Sequence, residues 1–229
     1  MFNAASASAY DLAISFNSIQ RTDNTALNFT EKDIELINLF NLPQSYLLKG
    51  NISGYSRTFK ADLVPVRQYK YPFTFKKGES EKRFNIILSK EDFNKTTDFT
   101  FEIVDSAGAA LSKGGLSYRT GDISFSARGI VKGSQYNLLL IPAFVNSSDS
   151  MTVTINEETQ FENQKESGIK TATGVFTLYP SIPTKIELFY TRPEIDIPEN
   201  AVYNGKAMFQ SSNKTVYELP VLIDPKENK

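Results

Sequence analysis

Asp98-Phe-Thr-Phe-Glu-Ile-Val104 sets Phe99, Phe101 and Ile103 at alternate positions, with Asp98, Thr100 and Glu102 between and beside them. Successive side chains of an extended backbone point to opposite faces, so this stretch offers one apolar and one polar face, as a half-buried antiparallel strand does. The same period returns in Phe84/Ile86/Leu88, Ile123/Phe125/Ala127 and Met151/Val153/Ile155. Tyr136-Asn-Leu-Leu-Leu-Ile-Pro142 is apolar on both parities, which predicts a central strand covered on both faces. Weaker strands are expected at Leu12–Phe16, Phe59–Pro65, Gly174–Tyr179, Thr184–Tyr190 and Thr215–Leu222, with turns at Gly78, Gly108, Gly114-Gly115, Gly121 and Gly133. The fold class that follows is all-β, built of antiparallel β-sandwich units of an Ig-like or jelly-roll-like kind.

One segment departs from this period. Thr30-Glu-Lys-Asp-Ile-Glu-Leu-Ile-Asn-Leu-Phe40 has a Thr cap, acids in its first turn, and Ile34, Ile37 and Phe40 at helical spacing, which predicts one short helix near Thr30–Phe40 plugging the end of a sandwich.

A chain of 229 residues with 40% hydrophobic and 12% aromatic residues has ample material for a packed core. Its 25 basic and 26 acidic residues leave a net charge of −1, so no overall field draws it to nucleic acid or to an anionic membrane. No apolar run is long enough to insert into a bilayer. The absence of Cys and His removes thiol chemistry, disulfides, the usual general base and the usual zinc ligands. No phosphate-binding Gly loop and no Gly-x-Ser-x-Gly elbow occurs. Paired carboxylates remain; Glu157 with Glu158, and Glu194 with Asp196, stand in polar surroundings that read as solvated surface.

Residues 1–9 end in an Ala-x-Ala-like run and read as a signal remnant or a linker. Composition divides the rest into an N-terminal β unit over 10–66, a central β-sandwich over 67–158, a linker or long loop over 159–170, and a C-terminal β unit over 171–229 that can pack with 10–66. The flanking pieces resemble each other: Asn41-Leu-Pro43 followed by Gly50 parallels Asp196-Ile-Pro198 followed by Gly205, which reads as duplicated units or as shared turn chemistry.

In Tyr69-Lys-Tyr-Pro-Phe-Thr-Phe75 four aromatics alternate and share one face of a strand. Pro72 cannot donate to a ladder, which puts that strand at an edge, a strand start or a bulge. Phe73 and Phe75 are expected in the core, with Tyr69 and Tyr71 nearer the rim as candidate ligand-binding residues, since an aromatic face stacks and Tyr keeps a polar handle. No cofactor is implied. Calcium at Asp105-Ser-Ala-Gly or Asn146-Ser-Ser-Asp-Ser is possible but not favoured, because neither has an EF-hand spacing and both suit Asx turns.

Three stretches carry a resemblance: Lys77-Gly-Glu-Ser-Glu-Lys-Arg-Phe-Asn-Ile-Ile-Leu88, Asp98 to Gly108, and Gly133-Ser-Gln-Tyr-Asn-Leu-Leu-Leu140 before Met151-Thr-Val-Thr-Ile155. In their Gly-led strand, their Asp-led strand ending in a Gly turn, and the strand that sets Gly133 ahead of Tyr136 where the family has Gly-x-Tyr, residues 78–158 resemble the bacterial pre-peptidase C-terminal-type β-sandwich, a family of secreted accessory domains. A longer insertion between the Asp-led and Gly-x-Tyr strands sets this chain apart from it. The resemblance implies an extracellular accessory or ligand-holding role without catalysis. The expected function is a non-catalytic extracellular binding or assembly module of a surface or secreted protein. A carbohydrate-binding accessory domain and a pilus-like or viral structural subunit are the alternatives. Its partner would be a protein or polysaccharide at an exposed edge or aromatic face, in an extracytoplasmic location (secreted, periplasmic or cell surface).

Overall fold

The computed structural model describes residues 2–3, 12–15, 27–28, 33–38, 41–65, 67–96, 98–117, 120–162, 169–190, 193, 195–211 and 216–224. Its strands in chain order begin with β1 (Phe2–Asn3), β2 (Leu12–Ser15), β3 (Leu27–Asn28), β4 (Asp33–Asn38), β5 (Gln44–Leu63) and β6 (Tyr69–Thr74). They continue with β7 (Glu79–Leu88), β8 (Asp98–Val104), β9 (Ala110–Leu116), β10 (Thr120–Ser126), β11 (Gln135–Ala143) and β12 (Met151–Phe161). The last are β13 (Ile169–Leu178), β14 (Thr184–Tyr190), β15 (Val202–Ser211) and β16 (Val216–Ile223). The fold is all-β and overwhelmingly antiparallel; among the described residues the one helical piece is a 3-10 turn at Lys90–Asp92.

The chain forms two compact units, one of residues 1–54 with 163–229 and one of residues 55–162. The second is a sandwich. One sheet runs β5-β12-β7-β10 and the other β6-β11-β8-β9. Successive strands alternate between the sheets except for the β8–β9 hairpin, which is the double Greek key of a jelly roll. The inward positions of both sheets supply one core: Leu63, Phe73, Phe75, Phe84, Ile86, Phe99, Ile103, Leu138, Leu140, Val153 and Ile155 among others. Every apolar face read from the alternation of β7, β8 and β12 points into it. β11 is central as its composition implies, between β6 and β8, and β6 with its Pro72 is an edge strand.

In the other unit β15 alternates strictly, burying Tyr203, Gly205, Ala207, Phe209 and Ser211. Tyr46 of β5 and Phe176 of β13 are cross-strand partners whose rings stack at 6.1 Å. Gly50 and Gly205, the two glycines of the sequence parallel, lie where β5 and β15 approach backbone to backbone. A Cβ on Gly205 would stand 2.4 Å from the Asn51 carbonyl oxygen, and one on Gly50 would stand 2.6 Å from that of Lys206. Main chain cannot swing aside as a side-chain tip does, so Gly205→Ala is expected to cost about 1–3 kcal/mol of stability in this unit, as a shift of its denaturation midpoint.

Over Asp33–Asn38, the described part of the segment, the expected helix at Thr30–Phe40 is not formed. Asp33–Asn38 is strand β4, paired with β2 on one side and β14 on the other; Thr30 and Phe40 lie outside the described residues. Leu36 and Asn38, two apart, are both fully buried, which is strand parity. The Asn38 amide donates to the carbonyls of Leu42 at 2.9 Å and Leu178 at 3.1 Å, so this buried polar side chain is satisfied inside. A helix this short is marginal on its own, and ladders on both sides satisfy the same backbone groups at no loss to β-branched Ile34 and Ile37.

Candidate functional site

β12 sends Met151, Val153, Ile155, Glu157, Thr159 and Phe161 inward in strict alternation. Its first half is apolar core and its second half brings a carboxylate into the sandwich. Glu157 is 1% exposed, which overturns the solvated-surface reading of this residue. Its charge is answered from strands remote in sequence. Lys82 Nζ of β7 stands 3.2 Å from Glu157 Oε1, 2.8 Å from Thr159 Oγ1 and 3.2 Å from the Tyr55 hydroxyl. Arg57 Nε of β5 donates to Glu157 Oε2 at 2.7 Å, and the Tyr71 hydroxyl of β6 donates to the same oxygen at 2.6 Å. Arg57 also donates to the Tyr71 hydroxyl.

A second carboxylate, Glu79, is fully buried beside them. It accepts from the Tyr55 hydroxyl at 2.9 Å and the Lys76 backbone N–H at 3.0 Å, and lies 3.5 Å from Lys82 Nζ. Glu79 and Lys82 are three apart on β7, and in a regular strand they would face opposite ways. The register between β7 and β12 slips there: Phe161 faces Glu79 while Gln160 faces Glu81, so Ser80 is an extra residue in a bulge that turns both side chains inward. Two anions and two cations thus share the pocket and balance.

The electrostatics follow from these contacts. Burial opposes the charge of Glu157, but Lys82, Tyr71 and Arg57 together hold its carboxyl below the ordinary value of 4.5. Burial, with Glu79 beside Tyr55 and Glu157 beside Tyr71, pushes both phenols well up, so they remain hydroxyl donors. Rings pad the cations: Lys82 Nζ lies 5.4 Å from the Tyr55 centroid and 5.7 Å from that of Phe75. Arg57 Cζ lies 5.6 Å from the Phe59 ring and 5.7 Å from the Tyr71 ring.

Arg57, with a 28% exposed side chain, leads from this interior to the surface. Phe59 is half-buried beside it, with its ring centroid 4.9 Å from that of Tyr71, and Tyr69, two residues from Tyr71 on β6, is half-buried against the same core. Of the four alternating aromatics, Phe73 and Phe75 are buried, Tyr69 stands at the margin, and Tyr71 lies deeper than its expected rim position because Glu157 holds its hydroxyl. Sequence reasoning did not bring Arg57, Phe59, Glu79 or Lys82 to this site. The one available signal was an acid on the buried parity of β12.

Among the described residues no group of three or more His, Cys, Asp or Glu side chains is arranged to hold a metal. The Asp105 carboxylate accepts from the N–H groups of Ala107 and Ala109, both at 2.9 Å, in an Asx turn. Among the described residues no helix is long and apolar enough to cross a membrane.

No protein-family model and no curated protein matches this chain. It is similar to the solved structure of PliG, a periplasmic inhibitor of g-type lysozyme from Aeromonas hydrophila, at 10% identity over 47% of this chain and 88% of that one, with a TM-score of 0.32. It is similar to the Yersinia pseudotuberculosis-derived mitogen at 10% identity over 53% and 93%, also with a TM-score of 0.32. A broad bean stain virus structure matches at 10% identity over 68% and 94%, with a TM-score of 0.27. Likeness at this level carries neither topology nor ligand from one protein to another, and the site stands on its own geometry.

Proposed function

We propose that this chain is a non-catalytic binding module that works outside the cytoplasm, of the kind that accessory sandwiches lend to secreted or surface proteins, and that Tyr69, Phe59 and Arg57 with Tyr71 behind them form its contact patch for a protein partner. The observation that carries this reading is how the ionisable cluster is closed. Glu157 is ionised and triply engaged, Glu79 is buried under its own donors, and Tyr55 and Tyr71 keep their protons. A general base or nucleophile needs a pKa near the working pH and a free line to substrate, and Glu157, Tyr55 and Tyr71 have been moved the other way. They serve instead to orient Arg57 and the rings above it, and aromatic and Arg side chains are those enriched where proteins meet.

Tyr69 is the residue to remove. Its half-buried ring at the edge strand carries little of the core, so Tyr69→Ala is expected to leave the denaturation midpoint within about 1 kcal/mol of the parent. Affinity for the partner should fall at least about tenfold, measured by interferometry against the extracytoplasmic proteins encoded beside this one. Unchanged affinity with an unchanged fold would remove the patch from the interface. Hydrolysis of a peptide or polysaccharide that Glu157→Gln abolishes would overturn the non-catalytic reading.

The strand order β5-β12-β7-β10 over β6-β11-β8-β9 favours a second reading, a structural subunit, since the same double Greek key serves capsids as well as lectins. Concentration-dependent polymers in sedimentation velocity would support it; a concentration-independent monomer would exclude it.

A further inference from the structure

The outward face of the four-stranded sheet is not plain surface. Register sets its side chains in two rows: Ile141 of β11, Thr100 of β8 and Gly115 of β9 in one, and Lys70 of β6, Leu139, Glu102 and Lys113 in the other. A concavity of about 550 Å³ lies over them, lined by Gln68, Thr100, Glu102, Lys113, Leu139 and Ile141 with Phe101 and Gly114. That is within the usual range of a small-ligand site. Leu139, only 8% exposed, and Ile141 make an aliphatic floor. The Phe101 ring packs against the core and against Gly114, where a Cβ would come within 2.8 Å of it.

The walls are charged and unspent. Glu102 and Lys113 are cross-strand partners of opposite sign, yet neither has a hydrogen-bond or ion-pair partner among the described residues. Directly opposed side chains have Cβ atoms about 5 Å apart, close to the span between the amino and carboxyl groups of a very short peptide. Gly115 keeps one corner open; its nearest neighbour for an added Cβ is the Phe99 carbonyl oxygen at 3.9 Å.

We propose that this trough binds a short zwitterionic peptide with aliphatic side chains, its ammonium on Glu102, its carboxylate on Lys113 and an aliphatic side chain on Leu139 and Ile141. The site is separate from the Tyr69 patch and does not depend on it. Charge complementarity selects this ligand: a neutral sugar would leave both charges desolvated and unmatched, whereas a zwitterion answers each once.

The test is calorimetric titration of the full chain with L-leucyl-L-leucine, its N-acetyl derivative and its C-terminal amide, with maltose as the neutral control. The free dipeptide should bind saturably, and blocking either end should weaken it at least tenfold. Lys113→Gln should weaken the free dipeptide at least tenfold while leaving the amide within about twofold, and Glu102→Gln should do the same for the acetylated form. Gly115→Leu should abolish binding at an unchanged melting temperature; should it unfold the chain, the two charge variants carry the test. No saturable heat with the free dipeptide, equal binding of the blocked forms, or maltose binding in the dipeptide's place would overturn the proposal. Tyr69→Ala should leave the titration unchanged, so this proposal can fail without the patch failing and the reverse.

Discussion

Lys82→Met is expected to destabilise the sandwich unit by about 3–5 kcal/mol at neutral pH, because it leaves the buried carboxylates of Glu79 and Glu157 with only the partly exposed guanidinium of Arg57, which pairs with Glu157. The Nζ it removes contacts Glu157, Glu79, Thr159 and Tyr55, and the side chain that carries it is 3% exposed. Hydrogen exchange of the β7 and β12 amides reads this unit by itself, which matters in a chain with two compact units. The pH dependence separates lost charge from lost packing. In the parent, the folded-state pKa of Glu157 is depressed from its ordinary 4.5. Its contribution is therefore complete above that value and disappears as pH falls through the folded-state value. In Lys82→Met the chief cation is gone while burial still favours the neutral acid, so protonation relieves the variant at a higher pH than the parent. The difference between the two proteins should shrink on acidification from pH 7 toward pH 4. A difference constant with pH would mean that Lys82 acts through its aliphatic stem alone. Adding Glu79→Gln and Glu157→Gln to Lys82→Met should recover a large part of the loss, since the cost lies in unmatched charge.

Phe75→Ala is the second large effect, again about 3–5 kcal/mol, because a fully buried ring leaves a cavity that its neighbours cannot fill. The ring centroid lies 6.0 Å from Phe73, 5.9 Å from Phe125 and 6.4 Å from Tyr136, and it also covers the Lys82 ammonium. It couples the aromatic core to the charge cluster, so Phe75→Ala and Lys82→Met should combine non-additively. Phe75→Leu, which keeps most of the volume, should lose less than half as much. Protection of the β6 and β11 amides in Phe75→Ala equal to the parent's would remove this ring from the core's energetics.

Much of this architecture is legible in the residues themselves. Alternation in Phe84/Ile86/Leu88, Phe99/Phe101/Ile103 and Met151/Val153/Ile155 names both the strands and the faces that make the core. The double parity of Tyr136 to Pro142 marks the central strand, and Pro72 marks an edge. These readings hold because the side-chain period of a strand is local and the proline defect is intrinsic to one residue. Thr30–Phe40 shows where local reasoning ends. Its caps and spacing suit a helix, yet β2 and β14, one before and one far after it in the chain, give Asp33–Asn38 the ladders that make it a strand.

The candidate site divides in the same way. By itself the sequence determined that this protein is all-β, that it lacks the thiol and imidazole chemistry of most hydrolases, and that Phe73 and Phe75 share an inward face. Tertiary structure alone decided that Glu157 is a buried anion rather than a solvated one, because that depends on Lys82, Arg57 and Tyr71 arriving from three other strands. It also decided that Glu79 joins them, through an extra residue at Ser80 that no period announces. The physical reason is one of range. A pleat repeats every two residues and is visible in any short window, whereas the cost of burying a charge is met by partners tens of residues away, whose identity only the folded register supplies.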